Sequence, residues 1–211
     1  MQNQLRLGAA LATAAIVGLL AAPAVAVPTT DPSSTTLENL QAAYNGESNA
    51  HAKYVAFAKR ADEEGYGKLA SLFRAAAEAE KVHAENHAVV IRRMGGQPRA
   101  EIAAPVVGTS RANLEAALAG ESYERDTMYP EFIGVAKAGG LRDALQTLNY
   151  AKSAESEHAK FYQAALADLE SMKGPGATYY VCQVCGMTTT RVDFKKCPSC
   201  FTSKDKYIAV A

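Results

Sequence analysis

The 211 residues carry 22 basic and 22 acidic side chains, so no net charge draws the chain to nucleic acid or to an anionic membrane surface. Hydrophobic residues make up 48% and charged residues 21%, a balance that excludes a disordered chain. The length suits one ordinary domain plus a small module.

The first 26 residues read as a targeting segment. Arg6 supplies one positive charge, Leu7 to Ala26 supply none, and Ala24-Val25-Ala26 has the small-x-small form of a secretory cleavage site. The expectation is export to the periplasm through a cleaved signal peptide, with Val27 opening the mature chain. The run is also long enough to be an uncleaved anchor, although its alanine content and Pro23 make it a poor one. Residues 27–35, rich in Pro, Thr and Ser, read as a linker.

Thr35 and Thr36 then offer a cap for a first helix, which Gly65-Tyr66-Gly67 stops near Glu64. A second helix, rich in Ala, Leu and Glu, ends at Gly95-Gly96, and residues 97–108 form a longer crossover. Thr109 or Ser110 caps a third helix running to about Ala138, with Pro130 bending it or loosening one turn. A fourth runs from Leu141 to about Met172. Two short turns and one long link predict a four-helix bundle over residues 36–173. Gly174-Pro175-Gly176 then tethers a module of different character at residues 178–211.

An internal repeat organises the bundle. Gly46-Glu47-Ser48 recurs as Gly120-Glu121-Ser122, and Glu80-x-x-His83 recurs as Glu155-x-x-His158. Glu47 precedes Glu80 by 33 positions and Glu121 precedes Glu155 by 34, so two helical hairpins of similar layout face each other about a pseudo-twofold axis. Residues three apart share a helical face, so each Glu-x-x-His presents its two side chains together. With Glu47 and Glu121, six ligands converge on the core in the arrangement of ferritin-like di-iron bundles. Carboxylates can bridge and neutralise two ferrous ions there, and the imidazoles complete each ion while leaving positions open. His51 and His87 have no partner motif and read as supporting or surface groups. Glu78, Glu85 and Glu157 sit off the ligand face.

All four cysteines lie in the module, as Cys182-x-x-Cys185 and Cys197-x-x-Cys200. Two such knuckles make a tetrahedral thiolate site for one iron, with zinc as an alternative. A disulfide pair is a further alternative in an oxidising compartment. The module carries five basic residues against two acidic ones, whereas residues 27–177 carry 16 against 20, which suits a basic module docking on an acidic bundle.

The chain resembles the rubrerythrin family over about Thr36 to Val210. Besides the repeat, the likeness rests on Glu124 beyond Glu121, on Met128-Tyr129-Pro130, on Tyr179-Tyr180 before the first knuckle, and on Cys197-Pro198-x-Cys200 in the second. It implies an all-α ferritin-like four-helix bundle followed by a small rubredoxin-like metal-knuckle domain. It also implies two non-haem irons held by Glu47, Glu80, His83, Glu121, Glu124, Glu155 and His158, and one iron held by Cys182, Cys185, Cys197 and Cys200. The repeat counterpart of Glu124 is Ala50, and by the resemblance Glu124 lets one iron exchange ligands between redox states. Tyr54 and Tyr129 are expected to hydrogen-bond the liganding carboxylates. The implied activity is reduction of hydrogen peroxide to water, with electrons relayed through the tetracysteine iron from a separate donor protein. The implied assembly is a homodimer paired head to tail. The alternatives are a ferroxidase that handles iron and a metal-binding protein whose ribbon holds structural zinc.

Overall fold

The computed structural model describes residues 31–211. The candidate export segment, residues 1–26, lies outside them, as does most of the linker before Asp31. Helix α1 spans Pro32–Glu63, so its start lies four residues ahead of the expected one. Asp31, not a threonine, is the cap: its carboxylate accepts from Ser33 N at 3.1 Å. Pro32 follows at the first helical position, where its preset φ suits the helix and its missing N–H costs nothing. Residues 32–35 are therefore helix rather than linker.

Helix α2 spans Gly67–Arg93, antiparallel to α1 across a turn in which Gly65 takes φ +82°. After the crossover, α3 runs Ser110–Tyr123, with Thr109 Oγ1 accepting from Ala112 N at 3.2 Å. The loosened turn expected at Pro130 lies just ahead of it. Glu124–Met128 winds as a π turn, in which Tyr129 N–H reaches back to Glu124 O, and α4 continues over Tyr129–Ala138. Pro130 has no N–H with which to close an ordinary α turn on Asp126, which favours the wider winding. Helix α5 covers Arg142–Ala167, and a short 3₁₀ segment, Leu169–Met172, completes the fourth rod. No helix among the described residues is long and apolar enough to cross a membrane.

Three amide side chains hold the crossover against α1. Asn49 donates to Glu101 O and accepts from Ala103 N, both at 2.9 Å; Asn45 accepts from Glu101 N, and Gln41 donates to Arg99 O. They satisfy backbone that has no ladder of its own.

The bundle interior has three layers. Tyr54, Phe57, Phe73 and Tyr162 cluster at one end, with neighbouring ring centroids 5.5–6.1 Å apart. Leu40, Ile91, Tyr129 and Leu148 pack at the other. Each large apolar side chain so buried contributes about 1.5–3 kcal/mol. Between them the sequence places charged residues, which these two cores must offset.

The module is a three-stranded antiparallel sheet in the order β2-β1-β3, with β1 Tyr179–Cys182, β2 Thr188–Thr189 and β3 Tyr207–Val210. The tether leading to it is laid against the α1–α2 turn. Gly174 N donates to Gly65 O and Ala177 N donates to Ser71 Oγ. A side chain at Gly67 would meet Gly174 O at 2.3 Å, so glycine is needed at this crossing. The ribbon thereby packs on α2 and α5 of its own chain.

Candidate metal centres

Glu47, Glu80, His83, Glu121, Glu155 and His158 form the middle layer, each at most 1% exposed. They fall into two quartets whose donor atoms lie within 4.8 Å of one another: Glu47, Glu80, His83 and Glu155, and Glu80, Glu121, Glu155 and His158. Glu80 and Glu155 belong to both, which is the geometry of a pair of cations sharing two carboxylates. The Glu-x-x-His spacing puts His83 Nδ1 at 2.9 Å from Glu80 and 3.1 Å from Glu155, and His158 Nδ1 at 3.0 Å from Glu155.

The layer fits a di-metal site on its unpaired atoms. Glu47 Oε2, Glu80 Oε1, Glu121 Oε2, both oxygens of Glu155 and His158 Nδ1 are buried without a hydrogen-bond partner. Six such atoms converging on one layer are the donors that a pair of cations would use. Protons otherwise substitute for the missing positive charge. Burial alone would depress His83, but the carboxylates of Glu155 and Glu80 hold it up, at about 10. Burial and the charges of Glu80 and Glu155 push Glu121 up to about 8. Burial and the neighbouring carboxylates hold Glu47 well above its ordinary range. Glu80 is the exception. Burial pushes it up, but the nearby charges of His158 and His83, with the hydrogen bond from His83, bring it below the ordinary carboxylate range.

Both expected tyrosines sit behind the carboxylates, and the pairing is crossed. Tyr54 on α1 donates to Glu121 on α3 at 2.5 Å, and Tyr129 on α4 donates to Glu47 on α1. Tyr54 lies seven residues after Glu47, and Tyr129 lies eight after Glu121. The π turn absorbs that extra residue, so the two phenols reach equivalent positions; it also accounts for the spacings of 33 and 34 within the repeat. Glu124 opens this turn. It is half-buried and stands outside both quartets, yet burial, then the charges of Glu121 and Glu155, raise its carboxyl well above the usual range.

Of the two roles open to His87, supporting or surface, the structure gives it the first. It is fully buried, with Nε2 3.2 Å from Tyr129 Oη and Nδ1 2.9 Å from Thr147 Oγ1. Tyr129 gives its own proton to Glu47, so it accepts from His87 Nε2–H, and Thr147 donates to Nδ1. Burial, and then the charge of His83, pull His87 down to about 3, so it is neutral. Its place one turn after His83 brings it onto the same face of α2. His51 bonds the Ala77 carbonyl at 2.7 Å outside the layer, while Glu78, Glu85 and Glu157 all keep contact with solvent.

In the ribbon the four cysteines are free thiols with their sulfur atoms clustered. Cys182 Sγ lies 3.7 Å from Cys200 Sγ, and Cys185 Sγ lies 3.6 Å from Cys197 Sγ. Those separations are too long for disulfides and close to the edge of about 3.8 Å that four metal–sulfur bonds of about 2.3 Å produce. Each knuckle returns an amide to its first cysteine's carbonyl, Gly186 N to Cys182 O at 2.9 Å and Phe201 N to Cys197 O at 3.0 Å. The turn requires positive φ at both positions, +75° at Gly186 and +60° at Phe201. A hydrogen bond from Cys185 pulls Cys182 down to about 5, so a thiolate persists even among thiols.

The two centres meet. His83 Nε2 lies 3.2 Å from the carbonyl of Cys185, and His158 Nε2 lies 3.0 Å from Thr188 Oγ1. A Cβ at Gly186 would sit 2.1 Å from His83 Nε2, so the first knuckle rests directly on the imidazole. The ribbon's cysteine site and the bundle's carboxylate layer are thus in contact within one chain.

Comparison with known proteins agrees with this construction. The family model described as Rubrerythrin matches residues 38–166. Nigerythrin of Nitratidesulfovibrio vulgaris is 42% identical over 176 residues, covering 83% of this chain and 86% of that one. Rubrerythrin-2 of Clostridium acetobutylicum is 34% identical over 177 residues, covering 82% and 96%. The solved structure of fully reduced, all-ferrous nigerythrin superposes with a TM-score of 0.76 at 41% identity, over 82% of this chain and 86% of that one. A bacterioferritin from Desulfovibrio desulfuricans, at 24% identity and a TM-score of 0.62, shares the fold alone over 67% of this chain and 83% of that one. With a Glu/His di-iron site in its bundle and a four-cysteine site in its ribbon, the chain belongs to the rubrerythrin family, di-iron proteins of the oxidative-stress type.

Proposed function

We propose that the protein is a peroxidase that reduces hydrogen peroxide to water in the bundle and is re-reduced through the ribbon. When bound, the ferrous pair supplies two electrons, which with two protons convert one peroxide into two waters. Glu47 with His83 and Glu121 with His158 would hold one iron each, Glu80 and Glu155 would be available to both, and Glu124 would be the ligand available for exchange. Tyr54 and Tyr129 each tie down one carboxylate oxygen, leaving the other free for metal. The aromatic cluster around Tyr54 keeps bulk water from that end of the site.

The observation that carries this reading is the hydrogen bond from His83 to Cys185. One imidazole has Nδ1 in the di-iron layer and Nε2–H on the peptide carbonyl of a ligating cysteine, a short bonded route between the two centres. The donor protein, the homodimer and export of a chain beginning at Val27 belong to the same proposal. Anaerobic mixing of reduced protein with peroxide tests it. The expected result is oxidation with about one peroxide per di-iron site, faster than oxidation by dioxygen with added ferrous iron. Preference for dioxygen and ferrous iron would identify a ferroxidase instead.

A further inference from the structure

The ribbon's first knuckle touches both liganding histidines through different chemistry. At His83 the partner is a main-chain carbonyl, which any residue would supply. At His158 it is a side chain, the hydroxyl of Thr188, 1% exposed at the start of β2. The direction of that bond is determined. Thr188 Oγ1 donates its own proton to Gly186 O at 3.1 Å, so toward His158 it can only accept. In the neutral ring that binds a metal, Nε2 of His158 therefore carries the hydrogen, and the lone pair falls on Nδ1, the atom left unpaired among Glu80, Glu121 and Glu155. A carbonyl accepts only, so Cys185 fixes His83 in the same tautomer.

We propose that the ribbon is a structural part of the bundle's metal site, and that Thr188 is the positioning residue for His158. Thr188 holds the ring in the tautomer that binds metal and strengthens its donor nitrogen, although it touches no metal itself. The site is thus split between two folding units. Four helices supply the ligands, and the loop between Cys185 and Thr188 supplies the outer partners of both imidazoles. The inference rests on the di-iron reading above and adds that loss of one ribbon hydroxyl weakens a site in the bundle.

Cobalt(II) titration of full-length protein, with zinc held in the tetracysteine site, tests this without any turnover. The ligand-field absorption of cobalt in the bundle is the readout. Wild type should bind two cobalt ions per bundle; failure to do so would count against the di-iron reading itself. Thr188→Val keeps shape but removes the acceptor, and should weaken cobalt binding by about 10- to 100-fold while zinc stays in the ribbon. Thr188→Ser restores the hydroxyl and should recover most of the affinity. Wild-type affinity in Thr188→Val, or equal loss in Val and Ser variants, would overturn the proposal.

Discussion

The bundle and the ribbon solve the same problem, a buried metal, by opposite means. Ligands in the bundle come from positions 47 to 158, brought together by four helices whose two apolar cores flank the charged layer. In the ribbon they come from 19 consecutive positions, 182 to 200, around a cluster consisting of the cysteines, Met187 and a few neighbours. The helices have enough apolar packing to keep their fold without metal and to hold carboxylates that repel one another. So small a ribbon draws much of its folding energy from the metal itself. Metal loss should therefore leave the bundle folded but electrostatically stressed, and the ribbon loosened.

The largest effect expected from breaking this contrast is at Glu80, which both quartets share. Glu80→Ala should abolish bundle metal while leaving helical content and the iron of the tetracysteine site intact. Glu121→Ala removes a ligand from one quartet only and should leave one metal behind. Metal analysis with circular dichroism distinguishes them, and two bound irons in Glu80→Ala would contradict the shared assignment.

Acidity sharpens the comparison next. Glu121 is held up at about 8 and His83 at about 10 in the metal-free layer. Both folded values lie above the unfolded ones, near 4.5 and 6.5, so both groups stabilise at low pH and lose that contribution as pH rises. The metal-free bundle should lose thermal stability between about pH 5 and pH 9, the Glu121 part by pH 8 and the His83 part continuing toward 10. Bound metal replaces those protons, so the gain in Tm on metal binding should grow across the same window. A metal-free Tm that stayed level from pH 5 to 8 would contradict the charge balance described. Glu80, held below its ordinary range, opposes this trend only in acid.

A smaller effect is confined to the ribbon. Strand pairing sets Cys182 opposite Tyr207, whose hydroxyl donates to Cys197 Sγ at 3.0 Å. A donor to thiolate favours the more negative, reduced iron site. Tyr207→Phe should lower the electron affinity of that site about tenfold, or about 59 mV for one electron, as read by spectroelectrochemistry. An unchanged midpoint would mean that the phenol has no effect on the sulfur.

Much of this was legible because repeats and knuckles are local patterns. Glu-x-x-His and Cys-x-x-Cys identify their own geometry from helix and turn periods. Even the π turn left a trace, the unequal spacings from Glu47 to Tyr54 and from Glu121 to Tyr129. The start of α1 was misplaced because Asp31 and Pro32 sit in a Pro/Thr/Ser-rich stretch that reads as linker. Thr147 and Thr188, and the partners of His87, were missed for a different reason. Their roles arise from contacts across helices or between bundle and ribbon, 30 to 60 residues apart, and no spacing along the chain announces them.

The central claim is that electrons for the bundle pass through the ribbon, and exchanging the ribbon's metal tests it most directly. Protein with iron in the bundle and zinc in the tetracysteine site keeps the ribbon folded and docked but cannot relay electrons. After chemical reduction it should consume about one peroxide per di-iron site in a single turnover, at the rate of the all-iron protein. Its steady-state turnover with an external donor should fall sharply. Equal steady-state rates for the zinc and iron forms would contradict the relay and leave the ribbon a purely structural role.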